Sequence, residues 1–300
     1  MLDLKRILIV VKRTKWERDV IRYGSERTTK KIYARQRHDG ARIISSHDRQ
    51  WQNLHTFRDQ LKDARFIYRA ELPFVDQREF DLLVSFGGDN HFVYVSHYAG
   101  QKPLMGINSD PETSRGALLL FDPDSAAAYL GKHSVDNVTT EAWSRISGQI
   151  LHADGRRMQT GAATSEITVR SKFHDYVSRY QIGIDSKDWE EQKCSGLLLS
   201  TGAGSTGWYR NCHPFNMQTD APFPKDSPFF RGIAREMSQT NRDRYRHAMA
   251  HIVAGAELNV ISEMDGEITV DADPERTFDF APGSHAAFKL DASPLKIVVP

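Results

Sequence analysis

At roughly 150 residues per domain, the 300 residues are expected to form two domains, each long enough to bury a core. Forty Lys and Arg against 39 Asp and Glu leave a net charge of +1, so no global field draws in nucleic acid or an anionic membrane, and any anion site is local. With 39% hydrophobic and 26% charged residues the composition excludes a disordered chain, and no collagen-like or coiled-coil pattern is present.

The longest apolar stretches, such as Ile7 to Val11 and Ala117 to Phe121, fall far short of the about 20 residues that a membrane helix needs. Ile7 to Val11 runs directly into Lys12, Arg13 and Lys15, which fits a first core strand and not a secretory signal. Cys194 and Cys212 have no zinc-site spacing and are too few for a disulfide framework, so the reducing cytoplasm is the expected location.

The first 130 residues alternate strands and helices. A continuous β-branched run over 6–11 reads as a strand buried on both faces, followed by a helix over 17–33. Residues 42–44 read as a short strand. Trp51, Leu54, Phe57 and Leu61, spaced by three and four, predict an amphipathic helix over 48–64. Residues 81–86 form a clear strand stopped by Gly87-Gly88-Asp89, with a helix over 90–98, and 103–107 and 117–121 supply two further strands. The fold class is an α/β N-terminal domain, doubly wound and Rossmann-like, over 1–132, to which residues 288–300 return.

From 133 to 287 the texture is β-rich, with strands at 144–151, 166–169, 180–184, 196–200, 251–260 and 267–270. Residues 218–228 read as a proline-bearing loop and 231–249 as a charged helix. There is no internal repeat.

Two loops carry candidate chemistry. Gly87-Gly88-Asp89-Asn90-His91 sits where a strand ends and a helix begins; the glycines let backbone N–H groups approach a phosphate, and the helix start adds positive potential. Asp89 is placed to accept a proton from an attacking hydroxyl or to organise a magnesium-bound nucleotide, although a Gly-Gly-Asp sequence also reads as a plain turn. Ser200-Thr201-Gly202-Ala203-Gly204-Ser205-Thr206-Gly207 offers three glycines among hydroxyls for a dinucleotide, or a flexible β-connection. It matches no P-loop, no G-x-G-x-x-G and no nucleophile elbow. Lys12 and Arg13 follow the first strand at its carboxyl end, where α/β sheets bind ligands, or else form a solvated basic loop. His152, His174, His213 and His251 have no ligand spacing, so no protein-built metal site is assigned and magnesium is expected to arrive with a nucleotide.

Together these loops resemble the NAD kinase family, whose Gly-Gly-Asp-Gly-Thr and Thr-Gly-Ser-Thr-Ala-Tyr signatures correspond to Gly87 to His91 and to Ala203-Gly204-Ser205-Thr206-Gly207-Trp208. Val11-Lys12-Arg13-Thr14-Lys15-Trp16-Glu17, the segment Gly106 to Gly116, and Lys193-Cys194-Ser195-Gly196-Leu197 are most similar to the mitochondrial-type branch. The resemblance spans about residues 5 to 290. It implies transfer of the γ-phosphate of ATP, or of polyphosphate, to the 2′-hydroxyl of the adenosine ribose of NAD, by a homodimer that binds neither nucleic acid nor membrane. It further implies Asp89 as the catalytic carboxylate and Gly87, Gly88, Asn90 and His91 around the phosphates. Asn108 and Asp110 would lie below the nucleotide, and Ser165, Glu166, Thr201, Gly204, Ser205 and Thr206 would hold the dinucleotide, with Trp208 lining the pocket. Asn90 and His91 replace the family's Gly and Thr, and Ser165 its Asn. His91 then either donates to a phosphate or packs under the loop. Asp265-Gly266 resembles the family's late Asp-Gly turn or is a hairpin turn. A nucleotide-binding homologue without transfer, or a kinase of another hydroxyl acceptor such as a lipid, are the alternatives.

Overall fold

The computed structural model describes residues 3–133, 137–212, 222–237 and 245–300. The chain forms two compact units, residues 1–141 with 296–300, and residues 142–295. The crossing therefore falls at 141/142 and the return at 295/296, against 132/133 and 288 from the sequence. No helix among the described residues is long and apolar enough to cross a membrane.

The first unit begins with β1 (Ile7–Val11), in which all five side chains are buried. The helix expected over 17–33 is two helices, α1 (Lys15–Tyr23) and α2 (Glu26–Gln36), because Gly24 adopts a left-handed φ of +83° and Ser25 caps a new helix by accepting the Thr28 N–H. The strand at 42–44 and the helix at 48–64 are in fact one 21-residue helix, α3 (Gly40–Gln60), capped by Asp39. β2 (Arg65–Tyr68), β3 (Leu82–Gly87), α4 (Asp89–Ala99), β4 (Leu104–Asn108), α5 (Pro123–Lys132) and β5 (Thr140–Trp143) follow. Residues 117–121 make only an isolated bridge, Ile107 to Phe121, before Asp122 caps α5.

The sheet order is β2-β1-β3-β4, then the C-terminal strand Leu295–Val298, then β5. β1 pairs in parallel with both β2 and β3, and β3 with β4. Strand order thus reverses at β1, the switch point of a doubly wound sheet. Phe57 and Leu61, at and just beyond the end of α3, and Ala126 and Leu130 of α5 pack with Ile9, Val84 and Phe86 of the strands. The run-out ends of β1 and β3 are thereby fixed, and these ends carry Lys12 and Gly88.

The second unit contains β6 (Ile146–Leu151), β7 (Arg157–Ala163), β8 (Glu166–Ser171), β9 (Ser178–Ile184), β10 (Lys187–Cys194), β11 (Gly196–Ser200), β12 (Phe229–Arg235), β13 (Met249–Val253), β14 (Leu258–Ser262), β15 (Gly266–Val270), β16 (Thr277–Phe280) and β17 (His285–Leu290). Two six-stranded sheets, β10-β9-β14-β17-β6-β7 and β13-β12-β11-β8-β15-β16, share one core that includes Ile150, Val169, Ile182, Leu199, Phe230 and Phe288.

The helix expected over 231–249 is not formed: residues 229–235 are strand β12, 249 begins β13, and 238–244 lie outside the described residues. The single strand at 251–260 is two. Asp265-Gly266 is not a hairpin turn either, since β14 and β15 belong to different sheets and the turn carries the chain from one to the other. His213 and part of the loop at 218–228 fall among residues 213–221, outside the described residues.

Candidate functional site

In the first unit β3 delivers Gly87-Gly88 straight onto the N-terminus of α4. Gly88 is the N-cap, its carbonyl accepting the amides of His91 (2.9 Å) and Phe92 (3.0 Å), and a side chain there would meet nothing within 4 Å. An open backbone at the positive end of an 11-residue helix suits an anion. Asp89, half-buried in the first turn, has both carboxylate oxygens engaged: one accepts the Ala117 N–H at 2.8 Å, the other the Leu118 N–H at 3.0 Å.

His91 is fully buried and its Nε2 bonds the Val10 carbonyl of β1 at 2.9 Å. Burial, with Arg69 and Lys12 adding repulsion, pushes its pKa down to about 3. The ring is neutral and faces the strand, so the reading of His91 as a phosphate donor is corrected to packing beneath the loop. It also accounts for Gly87: a Cβ there would stand 2.7 Å from the His91 ring. Asn90 is exposed on the first turn.

Lys12 is half-buried; burial lowers its pKa, and Arg18 and Arg69 lower it further. Arg13 lies over the Tyr68 ring, 4.8 Å from its centroid. Asn108 and Asp110 are buried and occupied. Asn108 Nδ2 donates to the carbonyls of Ser114 (2.6 Å) and Arg115 (3.2 Å). Asp110 accepts from Arg49, Ser46 and Thr113, and although burial alone would raise its pKa, these bonds hold it below the usual carboxylate range.

In the second unit β8 and β11 are neighbours, with Ser200 opposite Glu166. Thr201 donates its hydroxyl to the Thr164 carbonyl (2.7 Å) and accepts the Gly204 N–H (3.1 Å). Ser205 donates to the Gly202 carbonyl (2.7 Å) and accepts the Phe223 N–H (3.0 Å). A Cβ at Gly204 would lie 2.2 Å from the Ser165 carbonyl oxygen, and one at Gly202 2.0 Å from that of Pro224. The glycines are therefore required by chain packing. Thr206 is half-buried and donates to the Ala203 carbonyl, and Trp208 is partly exposed with Arg235 over its ring.

Ser165 donates to a carboxylate oxygen of Glu166, whose pKa burial raises to about 7 despite that bond, with Asp271 adding repulsion. Asp271 was not apparent from the sequence. Its carboxylate accepts three consecutive amides, Thr164 (2.9 Å), Ser165 (2.7 Å) and Glu166 (2.9 Å), and so fixes the segment that presents Glu166. The only sequence signal was an acid at a strand end, residue 271 after β15.

Comparison with known proteins bears on this pair of sites. The chain is 25% identical to the mitochondrial NAD kinase 2 of Rattus norvegicus over a 253-residue alignment covering 69% of this chain and 60% of that protein. It is 25% identical to the NAD kinase of Chlorobium phaeobacteroides, covering 51% and 50%. The chain thus spans about 60% of the length of its mitochondrial relatives. The chain is thus similar in sequence to NAD kinases. No family model matches it. Its fold is that of an NAD kinase from Archaeoglobus fulgidus solved with ATP (TM-score 0.65, 17% identity, 97% of this chain and 93% of that one). It is equally that of the yeast NADH kinase solved with NADH (TM-score 0.70, 12% identity, 98% and 83%).

At the positions where the NAD kinase signatures carry glycine and threonine, Asn90 is an exposed helical residue and His91 a buried one. The substitution of Ser165 for asparagine gives the neighbouring Glu166 an internal hydrogen-bond donor.

Proposed function

We propose that the chain is an ATP-dependent NAD kinase that transfers the γ-phosphate of ATP to the 2′-hydroxyl of the adenosine ribose of NAD or NADH. The observation that carries this reading is Asp89, an oriented carboxylate at the start of α4 beside the open backbone of Gly88. As the 2′-oxygen bonds the γ-phosphorus and the bridge to the β-phosphate breaks, Asp89 takes the hydroxyl proton and ADP leaves. The Gly88 backbone, the first amides of α4 and Lys12 counter the phosphate charge. Glu166 and the Thr206 region are assigned to the dinucleotide.

Magnesium would arrive with ATP, where Asp89 would offer it an oxygen donor and the ion would supply charge neutralisation at the phosphates. We also assign the protein to the cytoplasm, on its two free cysteines, and to a homodimer, on the family resemblance alone; fractionation and light scattering test these. The activity is tested by incubating the protein with NAD or NADH, magnesium and either ATP or polyphosphate. NADP or NADPH formed in proportion to enzyme supports the reading. A melting-temperature rise with NAD or ATP but no product from any pair contradicts it and leaves a nucleotide-binding protein.

A further inference from the structure

We propose that Asn108 is a positioning residue that sets the orientation of Asp89 through the turn at 114–118. The inference rests on the reading of Asp89 as the proton acceptor and concerns how the chain aims it.

A carboxylate on the first turn of a helix has several staggered side-chain positions available. Asp89 is confined to one by two consecutive amides, Ala117 and Leu118. Two of its roughly four lone-pair sites are used, one on each oxygen, so each oxygen retains a site for a hydroxyl proton. The two amides converge on Asp89 because the turn before them is held from β4. Asn108, buried at the end of that strand, commits both Nδ2 hydrogens, to the carbonyls of Ser114 and Arg115, while its Oδ1 accepts the Asp110 N–H at 3.1 Å. With both hydrogens engaged the amide has no donor left for a nucleotide.

Gly116 completes the turn at φ +61°, a left-handed conformation that favours glycine. A Cβ there would press on Leu119 at 3.0 Å and on the Asp89 carboxylate at 3.3 Å, so the turn and the carboxylate are fitted to each other. The near end of the loop is tied to α3: Arg49 and Ser46 bond Asp110, and Asn53 donates to the Ser109 carbonyl at 3.1 Å. A rigid path therefore runs from β4 through Asn108 and the 114–118 turn to Asp89.

Asn108→Asp keeps the shape and the acceptor but replaces the two donors with an oxygen facing two carbonyls. The test is a double-mutant cycle with Asp89→Asn, following NADP formation from NAD, ATP and magnesium. If Asn108 acts through Asp89, Asn108→Asp lowers kcat by about tenfold or more with KM for NAD and ATP little changed. In the Asp89→Asn background the same change costs less than about twofold. An equal loss in both backgrounds, or no loss in the first, overturns the proposal. The amide resonances of Ala117 and Leu118 provide a readout that needs no turnover. Asn108→Asp should move both toward their positions in Asp89→Asn, and unmoved resonances overturn the clamp. Full activity of Asp89→Asn would instead sink the kinase reading, while the resonances would still judge the clamp.

Discussion

At Gly88 an added side chain would enter open space, whereas at Gly202 and Gly204 it would stand 2.0 and 2.2 Å from the backbone carbonyl oxygens of Pro224 and Ser165. Both loops follow buried strands and both resemble signatures of one family. In the first unit the glycine backbone is open and the acid is aimed by its neighbours. In the second the glycines and the hydroxyls of Thr201 and Ser205 are consumed by the loop itself. Glycine-rich sequence therefore marks close backbone approach, and the structure alone tells whether the approaching group is a ligand or the chain.

The widest separation between the two loops should come from alanine. Gly204→Ala is expected to destabilise the protein by about 3 kcal/mol or more, since backbone and not a flexible side chain must move, whereas Gly88→Ala stays within about 0.5 kcal/mol of wild type in urea unfolding. Gly88→Ala should instead weaken ATP binding. Equal destabilisation by the two would erase the distinction.

A smaller effect is expected at His91, whose folded pKa of about 3 lies below the about 6.5 of an unfolded histidine. The unfolded chain takes up the proton first, so this contribution to stability is lost as pH falls from 6.5 toward 3. His91→Gln, which retains a donor for the Val10 carbonyl, should lose less stability between pH 7 and 4 than wild type; parallel curves would show the ring to be solvated.

Glu166 has the opposite sign. Its folded pKa of about 7 exceeds the unfolded value, so the native chain holds the extra proton and stability is lost as pH rises through about 7. The stability of wild type relative to Glu166→Gln should fall between pH 5 and 8. The effect is the smallest of the three because Glu166 is only partly buried and Ser165 bonds its ionised form.

The parts of the fold that could be read from the sequence were those set by local pattern. Ile7 to Val11, Leu82 to Phe86 and Gly196 to Ser200 are mostly apolar runs, and each is a buried strand. The β-branched pair Ile43-Ile44 suggested a strand, but the three-and-four spacing of Trp51, Leu54 and Phe57 extends back through it, and the cap at Asp39 continues the helix. Residues 231–235 carry Arg231 and Arg235 and read as the start of a helix; pairing with β11 and β13 on both sides makes them part of a strand. Asp89 was legible because a strand, two glycines, an acid and a helix are consecutive. Asp271 was not, because the amides it binds lie more than a hundred residues earlier, and the carbonyls that dictate Gly202 and Gly204, those of Pro224 and Ser165, likewise belong to other segments of the chain.

The most direct test of the central claim compares wild type with Asp89→Asn in NADP formation from NAD, ATP and magnesium. Product is expected from wild type, with a loss of turnover of about 100-fold or more in the variant and NAD binding retained. Equal turnover by the two proteins would contradict it.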